Sequence, residues 1–204
     1  MSWPVTWLRP EFVISPPAIG PSQDRDFRPR ATPDGARTRQ LPAAALAGYM
    51  GQINRIASSA FGAPPWSETA TQIEALVRRL RAEAGRPGFV LVMAEDVTGA
   101  VGFAYGRRGR QLASLARHRD ARLATMPFEF CELAVVTTAH GAGVGAALHD
   151  ALMTRAGPGP RWLATHAHAR HALGLYRSRG WQATAMTAGP EGDQNRVLMR
   201  RAFP

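Results

Sequence analysis

The segment that most constrains this chain lies past its middle. There an apolar strand runs into a glycine-rich loop, and the loop opens directly into a helix. Phe128 to Val136 reads as the strand, Thr137-Thr138-Ala139-His140-Gly141-Ala142-Gly143 as the loop, and Val144 to Arg155 as the helix. Glycines carry no Cβ, so successive backbone N–H groups can turn toward one point. The first turn of a helix adds unpaired donors and a partial positive charge. The pattern predicts either a phosphate cradle or a tight turn that packs a helix closely on a sheet.

Two familiar phosphate loops fail on the surrounding residues. Gly141-Ala142-Gly143-Val144-Gly145-Ala146 spells a dinucleotide-binding pattern, but that motif needs an acidic residue at the end of the next strand. The next strand here, Arg161 to Thr165, is followed by His166. The nucleoside-triphosphate loop needs a lysine, and all 25 basic residues of this chain are arginine.

The flanking pattern reads helix, helix, three strands, helix, strand, helix, two strands. Ala43 to Phe61 carries Leu46, Met50, Ile53 and Ile56 at helical spacing, and Ser67 is expected to cap a second helix bearing Ile73, Leu76, Val77 and Leu80. Phe89 to Ala94 and Ala100 to Tyr105 read as antiparallel strands around a turn. An arginine-dense connection, 106–125, follows, with a small helix suggested by Leu112 and Leu115. Arg170 to Arg179 reads as a helix stopped by Gly180, and Trp181 to Met186 with Arg196 to Arg200 as a closing strand pair. Residues 1–40 are rich in Pro and Arg and read as a loop-like extension, with Phe12-Val13-Ile14 as a short edge strand. The expected organisation is that extension followed by one domain, 41–204.

Leu133-x-Val135 followed by His140-Gly141-Ala142-Gly143-Val144-Gly145-x-x-Leu148 resembles the coenzyme A signature of the GNAT superfamily of N-acetyltransferases. Ala172-x-x-Leu175-Tyr176-x-x-x-Gly180-Trp181 is similar to a second block of that family. The resemblance covers about three quarters of the chain. It departs at His140, where the family has Arg or Gln, at Thr137 in place of Pro, and at Ala169 in place of Asn. It implies a mixed α/β fold: a central, mostly antiparallel sheet flanked by helices and splayed between its fourth and fifth strands. It also implies transfer of an acetyl group from acetyl-CoA, or another short acyl-CoA, to a primary amine by direct attack in a ternary complex. Leu133, Val135 and Val136 would then pair with the pantetheine arm, with the Val135 N–H a candidate donor to the thioester carbonyl. His140, Gly141, Ala142, Gly143, Val144, Gly145 and Ala146 would hold the pyrophosphate.

Such a reaction needs a base for the ammonium, a donor for the oxyanion and a proton for the leaving thiolate. The resemblance assigns the proton donor to Tyr176; a phenol, with a reference pKa of about 10, is protonated at neutral pH. For the base, Glu132 and Glu129 lie in one strand at an odd separation, so regular alternation sends them to opposite faces. Glu132 is nearer the loop and is preferred, with His166 and His168 in reserve. Cys131 reads as a buried structural thiol. The resemblance places the acceptor near Trp66, Tyr105, the 106–125 connection and Met186.

The net charge of +10 invites an anionic partner. No recognition-helix pattern, zinc spacing or aromatic-basic interleaving supports a nucleic-acid-binding module. The arginine-dense connection suits a neutral or anionic small-molecule amine better than a polycation. No apolar run reaches the length of a membrane span, no metal-ligand spacing appears, and no export signal is visible, so a cytoplasmic protein is expected. The acceptor, the acyl chain and the oligomeric state, a homodimer included, stay open at this stage, and a GNAT-fold protein that binds acyl-CoA without turnover is the alternative reading.

Overall fold

The computed structural model describes residues 36–188 and 195–202. The strand expected at Phe12-Val13-Ile14 lies outside them. The elements run β1 (Arg37–Gln40), a 3-10 turn (Ala43–Ala45), α1 (Leu46–Phe61), α2 (Ala70–Glu83), β2 (Val90–Asp96), β3 (Gly99–Arg108) and α3 (Gln111–Leu115). A 3-10 turn (Arg119–Arg122), β4 (Phe128–Val135), another (Thr137–Ala139), α4 (Val144–Arg155), β5 (Arg161–His166), α5 (Arg170–Arg177), β6 (Gln182–Thr187) and β7 (Arg196–Arg201) follow. The strands form a sheet ordered β1-β2-β3-β4-β5-β7-β6. Every neighbouring pair is antiparallel except β4 and β5, which run parallel.

The described residues cluster in two compact units. The first comprises 36–108 and Phe130–Pro158. Its core is apolar because α1 and α2 each present one stripe: Leu46, Ile53, Ile56, Ala57 and Phe61 from α1, and Ile73, Leu76, Val77 and Leu80 from α2. β2 is buried along Val90 to Ala94, as expected of a strand covered on both faces. The second unit comprises Gly109–Glu129 and the residues from Gly159 onward. There β7 lies between β5 and β6, in register Leu163↔Met199 and Ala164↔Leu198 on one side and Ala183↔Met199 on the other. The Phe128 N–H donates to the Pro160 carbonyl at 3.0 Å, which sets the starts of β4 and β5 side by side.

Two local expectations are corrected. Arg37–Gln40, placed by sequence in the loop-like extension, is a strand paired with β2, Arg39 opposite Met93. Its four polar residues hide the strand pattern, and it is anchored instead by charge. Arg39 Nε and Nη2 donate to the Glu95 carboxylate at 3.0 and 2.7 Å, and Nη2 also donates to the Tyr49 hydroxyl at 2.8 Å. The bonds from Arg39 hold the Glu95 carboxyl below its ordinary range, against the smaller opposing effect of burial. The cap of α2 is Thr69 rather than Ser67. Gln72 sits at the third helical position, and the Thr69 and Gln72 side chains each take the other's backbone N–H, a reciprocal capping box. Ser67, two residues earlier, has φ +46° and stands outside the helix.

Candidate functional site

The glycine loop belongs to the first unit. Val136 closes the strand with both backbone groups engaged: its N–H donates to the Val101 carbonyl and its carbonyl accepts from the Ala139 N–H, each at 2.9 Å. Of the strand residues expected to meet pantetheine, Val136 therefore offers its side chain rather than its backbone. The chain then takes one 3-10 turn. Thr137, where the resemblance has proline, donates its N–H to Ser59 Oγ of α1 at 3.1 Å, a bond that proline lacks the hydrogen to make. Gly141 and Gly143 follow with φ +77° and +79°, the left-handed region that other residues occupy only with strain.

Gly143 is the N-cap of α4. No side chain caps the helix and no acidic residue lies in its first turn. The donors at the start of α4 and its partial positive charge thus meet no carboxylate of their own helix. His140 sits at the head of the loop with Nε2 3.0 Å from the Val135 carbonyl oxygen. A carbonyl only accepts, so Nε2 carries the proton and donates it. That bond ties the loop back to the end of β4.

β4 does not alternate regularly. Gly102 on β3 faces α4: a Cβ there would lie 2.8 Å from Leu148 Cδ1, 2.9 Å from the Ala134 carbonyl oxygen and 3.3 Å from Val135 Cγ2. Val135 thus stands on the α4 side. Phe130 stands there too, its ring 5.8 Å from that of the buried His149 of α4. Residues five apart share a face only if the strand carries an extra residue between them. Cys131, Glu132 and Leu133 occupy that step, and they alone of β4 are half-buried. Cys131, expected buried, is part-exposed because it lies there.

Partners, more than alternation, separate the two glutamates. Glu129 is buried and accepts from the Leu112 N–H at 2.7 Å, at the start of α3. Glu132 forms an ion pair with Arg79 of α2. Near this pair lies Tyr105 of β3, fully buried, its hydroxyl close to the Arg79 guanidinium but without a well-formed hydrogen bond. Burial first, and Cys131 second, push the Tyr105 phenol well above its ordinary value. Being fully buried, Tyr105 cannot present its ring to a ligand as the sequence suggested. One turn further along α2, Glu83 pairs with Arg107 of β3 at 2.9 Å.

Arg79 was the residue that sequence reasoning missed. It stands one position from Leu80, on the flank of the apolar stripe of α2, and that flank was the available signal. The connection after β3 is less available than its charge suggested. Arg107 is held by Glu83, Arg108 donates to the carbonyls of Ala156 and Pro158 at 2.7 and 2.8 Å, and Arg110 donates to that of Leu123 at 2.9 Å.

Tyr176 and His166 belong to the second unit. Tyr176 lies on the buried side of α5, its ring edge-on to Trp181 at 6.1 Å. His166 ends β5; its Nδ1 accepts from the His168 N–H at 3.1 Å, and the two rings lie 5.5 Å apart. Trp66 packs edge-on against Phe61 at 5.7 Å. Among the described residues no group of His, Cys, Asp and Glu is placed to hold a metal, and no helix is long and apolar enough to cross a membrane.

No family model matches the sequence, and no curated protein matches it. Solved structures do. The chain is similar to a histone acetyltransferase HPA2-related acetyltransferase of Corynebacterium glutamicum, with TM-score 0.62 and 20% identity over 83% of this chain and 97% of that one. It is similar to an acetyltransferase of the GNAT family from Desulfovibrio desulfuricans, with TM-score 0.59 and 17% identity over 82% and 98%. It is also similar to the PaiA N-acetyltransferase of Thermoplasma acidophilum, solved in complex with coenzyme A, with TM-score 0.55 and 13% identity over 82% and 99%. With its mostly antiparallel sheet, the parallel pair β4 and β5 and the flanking helices, the chain has the fold of the GNAT N-acetyltransferases.

Proposed function

We propose that this protein transfers an acetyl or other short acyl group from acyl-CoA to a primary amine. The observation that carries the reading is the start of α4: Gly141 and Gly143 at positive φ, an N-cap without a side chain, and a first turn without an acid, directly after β4. Such a helix start suits a pyrophosphate, and the fold is one whose solved relatives include a coenzyme A complex. The pyrophosphate would lie against His140 to Ala146. The pantetheine would run along Leu133 to Val135, with the Val135 N–H toward the thioester oxygen.

In the reaction the acceptor nitrogen attacks the thioester carbon and the carbonyl pair moves onto oxygen. Collapse then expels the coenzyme A sulfur. Glu132 takes one ammonium proton before attack and later releases it to water; as the intermediate collapses the nitrogen gives up its second proton, which restores the Tyr176 hydroxyl after that hydroxyl has protonated the departing thiolate. Glu132 must loosen its bond to Arg79 to do this. A second reading, binding of acyl-CoA without turnover, draws on the same bond and on His140 being engaged by Val135.

The test is thermal unfolding with acetyl-CoA, followed by thiol release across an amine panel. Ligand at about 100 times its dissociation constant adds roughly 2.7 kcal/mol, and stabilisation with amine-dependent thiol release is expected. Stabilisation without thiol release would establish the second reading. No stabilisation by any acyl-CoA would end both.

A further inference from the structure

The helix α2 makes two ion pairs with the sheet in successive turns, and they differ in one respect. Glu83 and Arg107 are sealed, with side chains 9% and 11% exposed. Arg79 and Glu132 are open, at 40% and 17%. A sealed pair of this kind fastens a helix to a sheet. An open pair at the irregular step of β4 offers a cation and an anion, side by side, to something that enters from solvent.

We infer that this open pair receives the head group of the acceptor, and that the acceptor is a zwitterion with its carboxylate on the amine-bearing carbon, as in a free α-amino acid. The inference rests on the acyl-transfer reading and names its substrate class. In such a molecule the nitrogen and the carboxyl carbon are about 2.5 Å apart, so one small ligand can address both members of a touching ion pair. Its ammonium replaces Arg79 at Glu132, and its carboxylate replaces Glu132 at Arg79. The exchange leaves no charge unpaired, which matters in a half-buried site.

Other ligands do worse by the same reasoning. A simple amine would take Glu132 and leave Arg79 without its anion. A carboxylate without an amine would meet Glu132. The guanidinium can hold a carboxylate with two parallel N–H donors. From Glu132 to Val135 the strand rises about 10 Å, so a molecule seated at the pair lies on the same stretch of β4 as the residues proposed to hold the thioester. Once Arg79 turns to the ligand's carboxylate, Glu132 is released to act as base, which removes the obstacle noted above.

The experiment uses the whole chain saturated with coenzyme A. Calorimetric titration compares an equimolar mixture of the common α-amino acids with the matching mixture of their amides, and thiol release with acetyl-CoA compares the same two panels. The acids are expected to bind and react at least tenfold better than the amides. In Arg79→Gln the ratio should fall to about one, mostly through KM, with partial recovery in Arg79→Lys and unchanged stabilisation by acetyl-CoA. Equal use of acids and amides by the wild-type chain, or an unchanged ratio in Arg79→Gln, overturns the inference. If Arg79→Gln does not fold, the wild-type ratio and Arg79→Lys decide. Failure of acetyl-CoA to stabilise the protein would sink the acyl-transfer reading itself, whereas amino-acid binding by calorimetry would still report on the pair.

Discussion

Gly102 allows a sharp test of how the glycine loop is supported. Replacing it with alanine adds one methyl group at a place where the nearest atoms are 2.8, 2.9 and 3.3 Å away. The Leu148 methyl at 2.8 Å can rotate. The Ala134 carbonyl oxygen at 2.9 Å is backbone of β4, so the strand itself must move. Forcing a methyl group into a packed site of this kind costs about 1–3 kcal/mol. For a chain of this size that is roughly 2–12 °C in Tm. Gly51 provides the opposite sign: it lies exposed inside α1, with nothing within 4 Å of an added Cβ. Gly51→Ala should raise stability by about 0.5–1 kcal/mol, because alanine loses less backbone freedom in a helix. Urea unfolding of both variants with the m-value checked, together with acetyl-CoA stabilisation, makes the assay. Gly102→Ala should lose stability and also bind acetyl-CoA more weakly, since it shifts Ala134 and Val135 together. If Gly102→Ala were as stable as wild type, the close approach of β3, β4 and α4 would be wrong.

Three other perturbations have defined outcomes. Gly143→Ala places a Cβ at φ +79°, at a strain of about 1–2 kcal/mol, and should abolish stabilisation by acetyl-CoA at concentrations that saturate wild type. Glu132→Gln and Tyr176→Phe should each lower kcat by roughly 10²–10⁴, while acetyl-CoA still raises the unfolding midpoint; a variant of full activity would remove that residue from the mechanism. Asp120 is almost wholly buried and accepts from Trp162 Nε1 at 3.1 Å and from Arg200 Nε at 2.5 Å. Burial pushes its carboxyl up, but the bonds from Arg200, then that from Trp162, hold it below the ordinary value. The unfolded chain therefore takes up the proton first, so this stabilisation is present above about pH 4 and is lost as pH falls below it. Asp120→Ala should cost about 3–5 kcal/mol at pH 7, and the gap from wild type should close in acid. A constant gap down to pH 2 would contradict the assignment.

Much of this was legible in the sequence, for identifiable reasons. The α1 and α2 stripes and the β2 run are dictated by apolar periodicity, and the loop by glycines that stand at positive φ. What escaped depends on tertiary partners. β1 is four polar residues, Arg-Thr-Arg-Gln, and becomes a strand because Glu95 and Tyr49 hold Arg39. Ser67 and Thr69 are equally good caps by type, and only Gln72 three residues after Thr69 discriminates. The separation of Glu129 from Glu132 was argued from a period of two, which fails across an irregular strand. The charge of the 106–125 connection was read as available, yet Arg107, Arg108 and Arg110 are engaged by a carboxylate and by carbonyls that no spacing announces.

Those engagements carry a chemical consequence. The clamps that fasten this protein to itself, Arg107 on Glu83, Arg108 on the carbonyls after α4 and Arg200 on Asp120, are all guanidinium groups. A lysine in any of these places would present an ε-amine, and an ε-amine beside an acyl thioester is a competing nucleophile that loses its charge when acylated. These 204 residues contain no lysine at all. Under the acyl-transfer reading proposed above, these residues offer no side-chain amine to the thioester, so the guanidinium clamps would keep their charge in the presence of acyl-CoA.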